Sequence, residues 1–332
     1  MELPHEVVAN FLLHRPSTGA CQLAQLAEGL KGDRHGKILS ALHYIALGPS
    51  SEQLHRFFTA RRRLVFAHRG GGALAPENTL AAFEHGLSLG ADGLELDVRL
   101  SRDAVVVVHH DRSLERTTNL RGAVAEFTAG ELARADAGHH FRRGDAFPFR
   151  GLGIGVPTLA EVLARYADVP IVIELKMNNV ALAVATIEAV GRAGAVDRVC
   201  LGSFGLRVLR AARRLAPAIA TSAAREEVRW ALYRSWVRWP VSRVAYAGYQ
   251  VPEHAGRTRV VSPRFVDEAH RLGLGVQVWT VNKENDARRL LDWGVDALIT
   301  DRPDVIVPVV RGADLVGSAG SDPEYAGRRS RT

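Results

Sequence analysis

The amino-acid sequence predicts an α/β fold whose regular part begins at residue 64. From there on, short apolar segments with strand character are separated, in most cases, by runs with helical spacing. Such an alternation is typical of parallel strands joined by crossover helices, and eight strand segments are the number that closes a (β/α)8 TIM barrel. The 332 residues, 47% of them hydrophobic, are enough to fill one large core of this kind.

Residues 1–60 precede the barrel and carry two short apolar faces at helical spacing. Leu23, Leu26 and Leu30 form one face, and residues 38–45 repeat the pattern after a glycine-containing break. Both runs are too short and broken for one long amphipathic membrane anchor. We therefore expect a small helical N-terminal extension that packs on the barrel.

The predicted barrel domain spans residues 61–310. Its parallel strands are expected at 64–68, 93–98, 171–175, 198–202, 218–222, 244–249, 275–279 and 296–300. Helical runs are expected at 180–193, 205–215, 225–238, 263–272 and 284–293. A further strand at 104–109 follows a turn too short to hold a crossover helix, so we expect it to run antiparallel to the strand at 93–98.

Two stretches depart from the alternation of strands and helices. Residues 112 to about 156 have little regular periodicity, and a long irregular stretch in a compact enzyme is usually a lid or a mobile loop. We expect this stretch to be an insertion over the C-terminal mouth of the barrel. Residues 311–332 turn to Gly, Ser, Arg and Asp, and we expect them to form a disordered tail.

Two carboxylates, Glu95 and Asp97, lie two residues apart in a strand that we expect to be buried. Because strand side chains alternate, both point to the same face, where they repel each other and lose hydration. A divalent cation removes both costs, and Glu174 at the end of another predicted strand can join them. Three carboxylates favour one hard cation, Ca²⁺ or Mg²⁺. The alternative is that one acid only pairs with Arg69 or Lys176.

Four short motifs follow one another in the same region of the chain: HRG at 68–70, PENT at 76–79, ELD at 95–97 and HD at 110–111. In this order and spacing they closely resemble the glycerophosphodiester phosphodiesterase family of phosphatidylinositol-phospholipase-C-like TIM barrel phosphodiesterases. Two later motifs, WTVN at 279–282 and TDRP at 300–303, are similar to that family as well. The resemblance covers roughly residues 64–308. One departure is Ala104, where the family usually has glycine.

The resemblance implies that His68 and His110 act as general acid and base. Histidine suits both roles because its free pKa of about 6.5 lets it exchange a proton near neutrality. Arg69 and Lys176 would neutralise the phosphoryl oxygens together with the metal. A second interpretation makes His110 a metal ligand. His109 leaves the opposite strand face, so we expect it to be a packed or surface residue.

Two further residues have both a structural and a functional interpretation. Glu77 either caps the helix that begins near Thr79 or orients the loop that carries His68 and Arg69. Trp279 either packs in the core or forms an apolar wall for the substrate. Asp301, in the TDRP motif, is expected to serve structure.

These residues favour a metal-dependent glycerophosphodiester phosphodiesterase, a phosphoric diester hydrolase that releases glycerol 3-phosphate and an alcohol. The alternative is a lysophospholipase D using the same site, with Phe147, Phe149 and Trp279 lining an acyl groove. This alternative is motivated by the apolar character of the insertion around Phe147 and Phe149. A remote alternative is an inactive barrel that binds phosphate compounds or a partner.

Composition limits the other classes of partner. A net charge of +7 favours anionic small molecules or lipid headgroups, whereas no lysine block interleaved with aromatics indicates nucleic-acid binding. There is no run of about 18 apolar residues and no good signal peptide, so we expect a cytoplasmic protein without a transmembrane segment. Cys21 and Cys200 lack metal-site spacing and are expected to be reduced. Peripheral contact with a membrane and the oligomeric state stay open.

Overall fold

The computed structural model of the chain describes residues 62–237 and 244–319. The predicted N-terminal extension, residues 1–60, lies outside the described residues, as does the end of the tail from residue 320. The described residues confirm the predicted fold class, because eight parallel strands surround one axis and helices cover them.

The elements follow one another along the chain in the order typical of a βα barrel. The first half contains β1 (Leu64–His68), α1 (Leu80–Ser88), β2 (Gly93–Leu100), β3 (Val106–Val108), α2 (Ala129–Ala133), α3 (Leu159–Arg165), β4 (Ile171–Leu175), α4 (Val180–Arg192) and β5 (Val199–Gly202). The second half contains α5 (Leu206–Leu215), β6 (Ala220–Thr221), α6 (Arg225–Val237), β7 (Gly248–Pro252), β8 (His254–Ala255), β9 (Thr258–Arg259), α7 (Pro263–Arg271), β10 (Gly275–Trp279), α8 (Glu284–Asp292), β11 (Ala297–Thr300) and α9 (Pro303–Ala319).

The strands β1, β2, β4, β5, β6, β7, β10 and β11 form the barrel in that circular order. All neighbouring pairs are parallel, and β11 returns to β1. The gap between β6 and β7 is closed by a parallel bridge from Ser222 to Gly248. Every barrel strand therefore ends at the same face, where side chains from different strands can meet.

The antiparallel hairpin predicted after the second barrel strand is confirmed. β3 pairs with β2 so that Val98 lies opposite Val108. Ala104 in the turn has a φ of 58°, which is the left-handed region that favours glycine. The family's preference for glycine at this position therefore has a backbone reason.

The insertion is packed rather than loose. It has its own buried apolar cluster against the hairpin, made of Val107, Leu114, Val124, Leu132, Ala137 and Val156. Thr128 and Glu131 cap α2 reciprocally, which satisfies the free amide groups of its first turn. The irregular sequence of this segment therefore contains a small core that its lack of periodicity did not indicate.

Most predicted ranges agree with the structure to within about two residues, and three elements depart from the prediction in a clearer way. The strand expected at 244–249 pairs at Gly248–Pro252, because the apolar residues continue on both sides and periodicity cannot fix where pairing starts. α3 was not predicted, although Thr158 and Glu161 form a capping box at its start. Residues 311–319, which were expected to belong to the tail, continue α9 to Ala319, and Val310 in the middle of this helix is buried.

Candidate active site

His68, the last residue of β1, is held by a carboxylate from the far end of the chain. Its Nδ1 lies 2.6 Å from Oδ1 of Asp301, and its Nε2 lies 3.7 Å from Oε2 of Glu95. Burial lowers the pKa of His68, but the Glu95 and Asp301 carboxylates outweigh burial and raise it above its ordinary value. Asp301 follows β11, the strand beside β1, and the sequence assigned it only a structural role.

Arg69 lies directly after β1 in an unusual backbone conformation, with a φ of 51°. Its backbone amide donates to the carbonyl of Glu95 at 2.8 Å. Its guanidinium donates to Oε1 of Glu77 at 3.0 Å and lies 3.1 Å from Oδ2 of Asp97. The next residue, Gly70, approaches α1 so closely that there is no room for a side chain, since an added Cβ would lie 2.7 Å from Ala82. The HRG motif thus fixes the arginine against two acids.

Glu77 and Asn78 support this loop and the strand beside it. Glu77 accepts from Arg69 and, at 2.7 Å, from Arg116, while the cap of α1 is Thr79. Glu77 therefore orients the loop and does not cap the helix. The Asn78 side-chain amide donates to Oδ2 of Asp97 at 2.9 Å, a contact that was not predicted.

Glu95, Asp97 and Glu174 form the predicted acidic cluster, with one oxygen of each within 4.8 Å of the others. Strand register brings them together, because Asp97 on β2 lies opposite Glu174 on the parallel strand β4. Lys176 places its Nζ 3.1 Å from Oδ1 of Asp97 and 3.0 Å from Oε2 of Glu174. Oε1 of Glu174 is buried and accepts no hydrogen bond from the described residues. An unpartnered carboxylate oxygen beside two buried acids fits a hard divalent cation.

The pKa shifts of the three acids also favour a cation at this cluster. Burial, reinforced by Asp97, raises the pKa of Glu95 to about 7. Burial also raises the pKa of Glu174, although Lys176 opposes it. For Asp97 the effect of burial is outweighed by Lys176 and Arg69, which lower its pKa. Lys176 and Arg69 therefore stabilise the charged form of Asp97. Glu95 and Glu174 lack sufficient positive charge nearby.

His110 borders the same cavity as His68. Its Nδ1 lies 2.6 Å from Oδ1 of Asp111, and Arg99 fixes its backbone by donating to its carbonyl at 2.8 Å. Burial lowers the pKa of His110 below its ordinary value. His109 is buried on the other side of the hairpin, where its Nε2 lies 3.1 Å from the carbonyl oxygen of Ser113. His109 and His110 thus leave opposite faces of the hairpin.

A cavity of about 680 Å³ opens at the C-terminal face of the barrel. One side carries the polar groups His68, Arg69, Glu95, His110, Glu174 and Lys176. The other side combines Arg225 and Arg229 with a mostly apolar wall formed by Phe204, Val228, Leu232, Pro252, Val260 and Trp279. Trp279 contacts Phe204 edge to face, with 5.9 Å between ring centroids, and borders the cavity.

Phe147 and Phe149 do not border this cavity. The guanidinium of Arg150 covers the ring of Phe147 at 3.6 Å, and Phe149 packs against Phe141 with ring centroids 5.2 Å apart. The cavity therefore gives no support to the prediction that these two phenylalanines line an acyl groove, because their rings contact other residues of the insertion. The apolar wall comes instead from α6 and the segment after β7.

The chain is similar to known proteins over most of its length. A sequence model of the glycerophosphoryl diester phosphodiesterase family matches residues 68–305. A glycerophosphodiester phosphodiesterase from Caldanaerobacter subterraneus subsp. tengcongensis is 32% identical over 255 residues, which cover 75% of this chain and 98% of that protein. The structure of an Oleispira antarctica phosphodiesterase in complex with the product sn-glycerol-3-phosphate is 27% identical, with a TM-score of 0.63 over 78% of this chain and 99% of that one.

A more distant relative has a different name. Lysophospholipase D GDPD1 from Rattus norvegicus is 25% identical over 263 residues, covering 71% of this chain and 82% of that protein. The fold, the order of the motifs and the similarity over residues 68–305 agree with one another. The chain therefore belongs to the glycerophosphoryl diester phosphodiesterase family, which confirms the predicted family and the predicted class of enzyme, a phosphoric diester hydrolase.

Proposed function

We propose that this chain hydrolyses glycerophosphodiesters to glycerol 3-phosphate and an alcohol, with one divalent cation held by Glu95, Asp97 and Glu174. The observation that supports this proposal best is the cluster of three buried or partly buried carboxylates at a cavity bordered by two carboxylate-bound histidines. When bound, Ca²⁺ or Mg²⁺ would withdraw charge from a phosphoryl oxygen. Arg69 and Lys176 border the same space and would bind the remaining phosphoryl oxygens.

The two histidines are suited to move protons at Nε2. Asp301 occupies Nδ1 of His68 and Asp111 occupies Nδ1 of His110, so each carboxylate favours the tautomer with its proton on Nδ1. One Nε2 would accept the proton of the glycerol hydroxyl that attacks phosphorus, and the other would donate a proton to the alcohol oxygen whose P–O bond breaks. This attack would form a cyclic phosphate. Water would then open the cyclic phosphate, with the acid and base roles of the two histidines exchanged.

The experiment that tests this function is a comparison of glycerophosphocholine hydrolysis before and after metal removal. We expect release of choline and glycerol 3-phosphate, loss of turnover in excess chelator, and recovery with Ca²⁺ or Mg²⁺. Full turnover by protein shown to be free of metal would contradict the metal-dependent mechanism.

The second candidate is lysophospholipase D activity at the same site. The apolar side of the cavity supports it, because Val228, Leu232 and Trp279 would cover an acyl chain linked to the glycerol. A small polar diester would leave this wall in contact with water. Assaying lysophosphatidylcholine beside glycerophosphocholine separates the two candidates.

The alternative of an inactive binding barrel loses support, because both histidines border the cavity and all three carboxylates of the acidic cluster are present. None of the helices among the described residues has the length and apolar character needed to cross a bilayer. A cytoplasmic location is proposed from the sequence alone.

A further inference from the structure

Three aromatic side chains beside the cavity are unusually exposed, and we call Phe204, Trp230 and Tyr233 the aromatic rim. Their exposed fractions are 44%, 56% and 51%. Among the large hydrophobic side chains that the structure describes as exposed, these three are the only aromatic ones. Phe204 and Tyr233 border the cavity itself, and Trp230 stacks on Tyr233 with ring centroids 5.6 Å apart.

The topology places the aromatic rim at the mouth of the barrel. Phe204 follows β5, and α6, which carries Trp230 and Tyr233, follows the neighbouring strand β6. Both connections leave the C-terminal ends of their strands, which is the face that contains the candidate active site. The exposed rings therefore lie on the side from which a substrate enters the cavity.

Arginines accompany these rings and outnumber the unpaired acids beside them, of which Glu226 on α6 is exposed and forms no ion pair among the described residues. Arg225 and Arg229 border the cavity one helical turn apart, and the Arg225 guanidinium lies 4.9 Å from the centroid of the Phe204 ring. Arg229 and the exposed Arg257, in the turn between β8 and β9, form no ion pair with any acid that the structure describes. Glu227 is not available to them, because it already pairs with Arg213 at 2.7 Å.

We propose that the aromatic rim, with Arg225, Arg229 and Arg257, docks onto the surface of an anionic lipid bilayer. Tryptophan and tyrosine favour the bilayer interface because one end of each ring is apolar and the other can hydrogen-bond to water. Arginines beside them attract acidic headgroups. The sequence that follows Trp230 is rich in tryptophan, since three of the chain's five tryptophans lie at positions 230, 236 and 239.

The exposed area favours a bilayer over a protein partner. Three half-exposed aromatic rings offer roughly 300 Å² to a partner, given about 150–250 Å² for a fully buried aromatic side chain. A second copy of the chain would double this to roughly 600 Å², still below the ~1,000 Å² that a stable specific interface needs. A lipid surface requires no such complementary area, since a few interfacial rings and cations are enough for peripheral attachment.

The test is sedimentation of the full chain with vesicles, which does not depend on catalysis. Wild-type protein should pellet with vesicles of phosphatidylcholine containing 30% phosphatidylglycerol, and less with pure phosphatidylcholine or in high salt. Trp230→Ser should weaken binding by about tenfold or more, as expected for an aromatic side chain withdrawn from an apolar phase. Arg229→Gln should weaken it about fivefold, the contribution of one arginine near an anionic surface.

Matched controls separate docking from general damage. Leu152, which is 64% exposed on the insertion, provides a hydrophobic control, and Leu152→Ser should leave vesicle binding unchanged. Trp230→Ser should keep wild-type turnover of soluble glycerophosphocholine, because Trp230 does not border the cavity. If Trp230→Ser proved unstable, Arg229→Gln would decide alone, since this exposed arginine has no ion pair to lose among the described residues.

Two outcomes would overturn the proposal. One is equal vesicle binding by the wild type, Trp230→Ser and Arg229→Gln. The other is an absence of vesicle binding combined with self-association that Trp230→Ser abolishes in analytical ultracentrifugation, which would make the aromatic rim a contact between copies of the chain. If the wild type did not hydrolyse glycerophosphocholine, the proposed function would be refuted. The result of the vesicle experiment would not be affected.

Discussion

Asp301 Oδ1 lies 2.6 Å from Nδ1 of His68, although 233 residues of sequence separate the two. The pairing of β1 with β11 brings them together, and Asn282 holds the other Asp301 oxygen at 2.9 Å. Asp301 is therefore placed as a positioning residue for His68, fixing the orientation of its ring and leaving Nε2 directed at the acidic cluster.

The first prediction concerns this pair. Asp301→Asn should lower kcat about a hundredfold, because an amide cannot stabilise the imidazolium of His68 as a carboxylate does. KM should change little, since Asp301 does not border the cavity. Asp301→Glu should recover part of kcat. Steady-state kinetics check this, with Asp304→Asn as the control, whose partner Arg302 is a surface residue. A rise in KM at constant kcat would contradict the positioning role.

The second prediction separates the two adjacent histidines of the hairpin. His68→Ala and His110→Ala should each lose about two to four orders of magnitude in kcat, the usual contribution of a general acid or base. His109→Ala should lose less than about tenfold, because His109 packs against the carbonyl of Ser113 away from the cavity. Kinetics on the three purified variants test this, with thermal melting to detect any loss of folding. Equal damage at His109 and His110 would mean that both faces of the hairpin serve catalysis.

The third prediction is that the cation can be followed by stability as well as by turnover. Ca²⁺ or Mg²⁺ should raise Tm of the metal-free protein, and Glu174→Gln should reduce that rise because it removes one charged ligand. Since burial raises the pKa of Glu95 to about 7, protons should compete with the cation below that pH. The concentration giving half of the Tm shift should therefore increase as pH falls from 8 to 6. A cation response that is the same in Glu174→Gln would contradict the ligand set.

The fourth prediction uses the turn between β2 and β3. Ala104→Gly should stabilise the protein by about 1 kcal/mol, because the left-handed conformation costs a residue with a Cβ ~1–2 kcal/mol and part of this is offset by the greater freedom of glycine in the unfolded chain. Chemical denaturation measures the change. Ala123→Gly is the matched control, since Ala123 has a φ of −80°. This substitution should leave the stability of the protein unchanged or lower it.

The sequence predicts much of the site and for identifiable reasons. Alternation along a strand is enough to place Glu95 and Asp97 on one face, and a short turn is enough to make β3 antiparallel. Asp301 could not be assigned its role in the same way, because its contact depends on the closure of the barrel between the first and last strands. The TDRP motif indicated the position but not the partner.

Most of the apolar wall was not predicted from the sequence, which named only Trp279 among the residues that border it. Phe147 and Phe149 lie in a segment without periodicity, so nothing in the sequence showed that the insertion has its own core and uses these rings internally. Val228 and Leu232 have the ordinary spacing of a buried helix face, and that spacing does not tell core from cavity. Only the position of α6 over the barrel mouth distinguishes them.

The last prediction follows from this corrected wall and decides between the two candidate substrates. If an acyl chain lies along α6, Val228→Ser should lower kcat/KM for lysophosphatidylcholine about tenfold more than kcat/KM for glycerophosphocholine. Val228 borders the apolar side of the cavity, and the phosphodiester would be bound on the other side by Arg69 and Lys176. The ratio of the two specificity constants is the measurement, because a general loss of folded protein cancels from it.

Replacing Phe147 and Phe149 together by serine is the control for this ratio. These rings touch Arg150 and Phe141 inside the insertion, so the double variant should lower stability and leave the ratio unchanged. A ratio that moves in the double variant and not in Val228→Ser would return the acyl groove to the insertion. A ratio that moves in neither, with glycerophosphocholine hydrolysed well, would leave the soluble diester as the substrate class, because the apolar wall would then contribute nothing specific to an acyl chain.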